Sequence, residues 1–123
     1  MCGIAGHFGL SLHPNERKPL LQRMTQTIVH RGPNDDGYFS AESVGLGMRR
    51  LSIIDLKTGH QPISSPTGKQ HIVFNGEIYN YQELRSRLLV DGYPFSTGSD
   101  TEVILNQFLK DGPDCVHQLN GMF

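Results

Sequence analysis

Ile4, Gly6, Phe8 and Leu10 alternate with other residues at the start of the chain. This period of two predicts a short strand over 2–10 with those four on its apolar face. The period then changes. Leu20, Leu21, Met24, Ile28 and Val29 fall on one stripe at helical spacing, which predicts a helix of about twelve residues ending near His30. A dense turn segment follows over 31–37, then a hairpin from 38–40 and 44–49. Residues 59–68, with Pro62 and Pro66, read as a loop, and the apolar run 71–74 reads as a buried strand broken by Asn75 and Gly76.

Two further helices announce themselves by their first turns. Asn80 with Glu83 resembles a capping box ahead of Leu84, Leu88 and Leu89, and Gly92 is the stop. Ser99 with Glu102 repeats the arrangement before Val103, Ile104, Leu105, Phe108 and Leu109, stopping at Gly112. The order is strand, helix, several strands, then helix, strand, helix. Such segregated runs fit an α+β layered fold better than strict βαβ alternation. The last four residues, Asn120, Gly121, Met122 and Phe123, place an apolar pair straight after a turn signal, where a new strand would begin. They read as a C-terminal truncation inside the fold, and a chain cut there is expected to be marginal in stability and poorly active.

Composition narrows the function. With 123 residues, 37% of them hydrophobic and 19% charged, the chain is one globular domain at most. A net charge of −1 offers no basic surface for nucleic acid, and no stretch is apolar enough for a membrane span. The start lacks a cationic and apolar leader, and two cysteines at positions 2 and 115 make no disulfide framework, so a cytoplasmic thiol protein is expected. The six His and two Cys show no metal-ligand spacing, and neither a GxGxxG nor a Walker-type loop is present.

Cys2 stands directly behind Met1. Removal of Met1 would leave a thiol, of ordinary pKa about 8.5, beside an α-amine of about 7.7–8.0 that can take its proton. A thiol attacking a carbonyl also needs donors for the developing oxyanion and groups that fix the substrate. The Asn75 amide and the Gly76 N–H could be the donors; equally, Asn-Gly is the commonest hairpin turn. Arg50 could grip a carboxylate, or simply be a solvated charge at a strand end; nothing local separates it from Arg49. Glu77 and Asp100 could bind an ammonium group, although an acid in a first helical turn is favoured by the dipole anyway. Cys115 reads as a half-buried thiol.

The stretches Met1-Cys2-Gly3-Ile4, His30-Arg31-Gly32-Pro33-Asn34, Arg50-Leu51-Ser52-Ile53-Ile54-Asp55, Gln61-Pro62, Asn75-Gly76-Glu77-Ile78-Tyr79-Asn80 and Gly98-Ser99-Asp100-Thr101-Glu102 run through the chain in one order. Together with the closing Asn120-Gly121-Met122-Phe123 they resemble the class II (type 2) glutamine amidotransferase domain of the asparagine synthetases. The resemblance implies an N-terminal-nucleophile hydrolase fold, a four-layer αββα sandwich with antiparallel sheets, of which 1–123 would be a part. It implies Cys2 as nucleophile, its freed amine as base, and Asn75 with Gly76 as oxyanion hole. Arg50 would take the α-carboxylate of L-glutamine, Glu77 and Asp100 its α-ammonium, and the backbone of Leu51, Ser52, Ile53 and Ile54 would line the pocket. No cofactor is implied for this chain. ATP and Mg²⁺ would serve a C-terminal synthetase domain that amidates aspartate, in a full-length protein that could be a homodimer. The alternatives are an amidotransferase for another carboxylate acceptor and a non-catalytic interaction domain that keeps the fold.

Overall fold

The computed structural model describes residues 2–51 and 59–123. They belong to two units. The first contains strand β1 (Gly3–Phe8), helix α1 (Pro14–Gln26), strands β2 (Asp35–Ser40) and β3 (Val44–Arg50), and the segments His60–Pro62 and Val73–Asn75. The second contains β4 (Ile63–Ser64), β5 (His71–Ile72), β6 (Glu77–Ile78), α2 (Tyr81–Val90), α3 (Asp100–Asp111) and β7 (Gly121–Met122). The α+β class and the antiparallel pairing expected from the sequence are both present.

In the first unit β3 is the central strand, with β1 and β2 antiparallel on either side. The period of β1 is as the sequence indicates, but the burial is reversed. Ile4 is 45% and Phe8 84% exposed, while Gly3 is buried and Ala5 and His7 are half-buried. The reason is α1. The helix lies on the face carrying Ala5, His7 and Gly47, where small residues leave room for it and Thr25 Oγ1 meets the Tyr38 hydroxyl at 3.0 Å. Leu21 of α1 is fully buried there, worth about 1.5–3 kcal/mol relative to an exposed Leu.

α1 also starts and ends elsewhere than its apolar stripe suggests. His13 caps it, its ring accepting from the Asn15 N–H, while Glu16 reaches back to the His13 N–H at 3.1 Å. It stops at Gln26, because the Thr25 and Thr27 hydroxyls bond back to the carbonyls of Leu21 and Met24 at 3.0 and 2.8 Å and tighten the last turn. Val29–Arg31 then forms a short 3-10 turn outside the helix. The turn segment expected over 31–37 is shorter than drawn, since Asp35 already pairs with Arg50 in the ladder.

In the second unit the loop expected over 59–68 contains β4, which pairs with β5. The strand expected over 71–74 is limited to His71–Ile72. β6 pairs with β7, so Met122 does open a strand, opposite Glu77. α2 and α3 fall where their patterns put them, burying Leu84, Leu88, Val103 and Leu105. No strand separates them; the connection is held by the Arg85 guanidinium, 4.1 Å from the Phe95 ring centroid and 2.8 Å from Thr97 O. Asn80 makes no capping bond. Its side chain instead accepts from the Asn120 N–H and donates to Gln118 O, at 3.0 and 2.9 Å, tying β7 to the start of α2. Among the described residues no helix is long and apolar enough to cross a membrane.

Candidate active site

Cys2 sits one residue ahead of β1, just beyond the Gly3–Arg49 pair. Its sulfur accepts from the Leu51 backbone N–H at 3.3 Å and lies 3.6 Å from the Leu51 carbonyl. Its own carbonyl accepts from Arg31 Nε at 3.4 Å. The candidate nucleophile is therefore fixed from both sides, at its sulfur by the end of β3 and at its backbone by the 3-10 turn. Gly32 makes this possible. A Cβ there would stand 2.3 Å from the Arg49 carbonyl, so only glycine lets the turn lie directly on β3.

The structure separates the two arginines that local sequence chemistry could not, and that only the family resemblance told apart. Successive residues of a strand point to opposite faces. Arg49 is committed to local contacts, with Nε donating to Gly32 O at 3.0 Å and an ion pair to Asp36 at 3.3 Å. Arg50 lies on the other face, level with Met48, and is only 7% exposed. The solvated-charge reading of Arg50 fails on that burial. The Arg50 carbonyl accepts from the Asn34 N–H at 3.1 Å, and the cross-strand neighbour of Arg50 is Asp35, whose carboxylate meets His60 Nδ1 at 2.7 Å.

Asn75 and Gly76 do not turn a hairpin. The strands on either side pair elsewhere, β5 with β4 and β6 with β7. The commonest structural use of the dipeptide is thus absent, and its donors are not consumed by a two-residue loop. Glu77 is exposed on β6, and Asp100 opens α3. Asp100 is 6% exposed and its Oδ2 accepts from the Ile78 N–H at 3.0 Å, so the helix start and β6 are joined at this carboxylate. Cys2, Arg50, Leu51 and Asn75 belong to the first unit, and Gly76, Glu77 and Asp100 to the second. Ser52, Ile53 and Ile54 lie outside the described residues.

The segment leading into Asp100 is built on Glu102. Ser99 caps α3 through the Glu102 N–H, as the sequence indicates, but the Glu102 carboxylate does not return to the cap. It accepts from Ser96 N and Oγ at 2.9 Å each and from Thr97 N and Oγ1 at 2.7 and 2.6 Å. Burial pushes this carboxyl up, and the donors from Thr97 and Ser96 outweigh burial and hold it below the ordinary carboxylate range. Sequence reasoning missed this role, and it gave none to Gln61 of the Gln61-Pro62 stretch, whose side-chain oxygen accepts from the Phe74 N–H at 2.6 Å. Gln61 beside a proline in a loop carries no chemical signal of its own. Among the described residues no three His, Cys, Asp or Glu side chains are grouped as a metal site.

The model of the glutamine amidotransferase domain family matches residues 1–123. An asparagine synthetase [glutamine-hydrolyzing] of Bacillus subtilis (strain 168) is 49% identical over 127 residues, covering all of this chain and 20% of the relative. Asparagine synthetase B of Escherichia coli (strain K12) is 37% identical over 123 residues, covering 22% of its own length. A putative asparagine synthetase of Methanocaldococcus jannaschii is 40% identical over 144 residues, again with this whole chain covered and 27% of the relative. The chain spans about a fifth of the length of the first of these relatives. With a thiol fixed at the end of a sheet, a buried arginine beside it and a family match over every residue, the chain belongs to the glutamine amidotransferase domain family.

Proposed function

We propose that this chain hydrolyses L-glutamine to glutamate and ammonia through a γ-glutamyl thioester on Cys2. The observation that carries the reading is the Cys2 sulfur held 3.3 Å from the Leu51 N–H, directly after buried Arg50. Once Met1 is removed, the Cys2 α-amine takes the thiol proton and the sulfur attacks the side-chain amide carbon of glutamine. The C–S bond forms as the carbonyl electrons move onto oxygen, where the Asn75 side-chain amide and the Gly76 N–H donate to them. Collapse breaks the C–N bond, and the proton held by the amine leaves with the nitrogen as ammonia. Water, deprotonated by the same amine, then attacks the thioester; the C–S bond breaks, glutamate departs and the sulfur recovers its proton. Arg50 holds the substrate α-carboxylate, Glu77 and Asp100 its ammonium, and the backbone at Leu51, Ser52, Ile53 and Ile54 forms the pocket wall.

The fold proposed for this chemistry is the four-layer αββα sandwich of N-terminal-nucleophile hydrolases. In the whole protein we place the ammonia acceptor, aspartate, in a C-terminal synthetase domain that uses ATP and Mg²⁺ to form asparagine. No step on this chain runs through ATP or the metal. We place the protein in the cytoplasm, with a homodimer as the full-length assembly.

The test is mass spectrometry of the purified protein after treatment with a diazo-ketone analogue of glutamine. The reading expects one adduct, on a Cys2 that has lost Met1, and protection by excess glutamine. An absence of label, or equal label on Cys2 and Cys115, would overturn it.

A further inference from the structure

No strand ladder among the described residues contains Val73, Phe74 or Asn75. An oxyanion donor on such a segment needs to be held by something else, because it works only if its N–H stands in place before charge develops. The Phe74 N–H, one residue before Asn75, donates to Gln61 Oε1 at 2.6 Å. Gln61 is itself 6% exposed, and its backbone is pressed against the sheet. A Cβ on Gly37 of β2 would fall 1.8 Å from the Gln61 carbonyl oxygen. Gly37 pairs with Met48 of β3, and the residue that follows the last of β3, Leu51, holds the Cys2 sulfur through its N–H. One continuous path of backbone contacts and hydrogen bonds thus joins the nucleophile to the residue before Asn75, and Gln61 is its last link. All of these residues belong to the first unit.

We propose that Gln61 is a positioning residue for Asn75, its side-chain carbonyl fixing the 73–75 backbone so that the Asn75 amide meets the oxyanion formed on Cys2. The inference rests on the proposed glutaminase reading and adds to it a residue that never touches substrate. A donor that acts on an oxyanion contributes in the transition state and not to ground-state binding, so the loss should appear in kcat.

Gln61→Met keeps the length of the side chain and removes the acceptor. It is expected to lower kcat for glutamine hydrolysis by up to about a hundredfold, as for a donor displaced by about 1 Å and less than the roughly hundred- to thousandfold cost of a donor removed outright, with KM within about threefold. Iodoacetamide alkylation of Cys2, which needs no oxyanion hole, should keep its rate and report an intact sheet. In an Asn75→Ala background the Gln61→Met change should cost nothing further, because both act on one donor. Unchanged kcat, a matching rise in KM, or additive losses in the double variant would overturn the inference. If Gln61→Met does not fold, Gln61→Asn, which withdraws the amide by one methylene, is judged by the same cycle. An Asn75→Ala variant with full kcat would instead overturn the oxyanion assignment beneath it, so the two failures are distinguishable.

Discussion

The Asp100 carboxylate accepts the Ile78 backbone N–H at 3.0 Å, so a group proposed to bind the substrate ammonium also joins α3 to β6. The two duties separate by substitution. Asp100→Ala leaves the buried Ile78 N–H without this acceptor and is expected to cost about 1–3 kcal/mol in urea unfolding. Asp100→Asn keeps an acceptor oxygen and should unfold within about 0.5 kcal/mol of the parent, while KM for glutamine rises about tenfold or more as the charge is lost. Equal destabilisation in both variants would remove the structural duty, and an unchanged KM in Asp100→Asn would remove the binding one.

Glu102 makes stability depend on pH. Its folded carboxyl is held below the ordinary range of about 4.3 by the donors of Ser96 and Thr97, so the unfolded chain takes up a proton first as pH falls. The contribution is therefore complete above that ordinary value and is lost as pH drops through the depressed folded one. Glu102→Gln should be the less stable protein at pH 7, and the gap should close as pH falls below the ordinary carboxylate value and through the depressed folded one. Urea midpoints for the two proteins across that range provide the check. A gap that stays constant with pH would show that the contacts of the Glu102 carboxylate, and not its charge, matter.

How much of this was legible in advance depends on whether the signal is local. α2 and α3 were, because Leu84 and Leu88, or Leu105 and Leu109, repeat at helical spacing and the turns that stop them are short-range chemistry. The outward face of β1 was not. Ile4 and Phe8 specify a period of two, but which side is buried is decided by α1 choosing the face with Ala5 and Gly47. The same limit applies to the site. Cys2 was legible from its place in the sequence, whereas Arg49 and Arg50 became physically distinct only once alternation along β3 turned one toward Asp36 and buried the other, the resemblance alone having picked Arg50. Gln61 stood out only as part of the Gln61-Pro62 stretch, and its role gave no warning, since its partner Phe74 is thirteen residues away and no pattern links them.

The two thiols should differ in reactivity. Burial pushes the Cys115 thiol up, and the charges of Asp111 and Asp114 add to it, so less thiolate is present at neutral pH. Cys2 is half-buried at the edge of its sheet. Iodoacetamide on the folded protein is expected to modify Cys2 at least about tenfold faster than Cys115, with the difference vanishing in denaturant. Comparable rates in the native state would mean that Cys115 is not shielded as described.

Gly37 is the tightest contact on the path from Cys2 to Asn75. Its missing Cβ would stand 1.8 Å from the Gln61 oxygen and 2.9 Å from the Gln61 carbonyl carbon. Both are backbone atoms, so no side-chain rotation relieves the clash, and Gly37 itself is held by pairing with Met48. Gly37→Ala should therefore force Gln61 away from β2, destabilising the protein by about 1–3 kcal/mol, as overpacking does. The displaced Gln61 would carry Phe74 and Asn75 with it, so kcat should fall in the folded fraction while KM holds. Ser40→Ala, at the exposed end of the same strand, should stay within about 0.5 kcal/mol of the parent and keep its kcat. Full activity and stability in Gly37→Ala would mean that the sheet and the Gln61 segment move independently, and that the sheet does not fix Asn75.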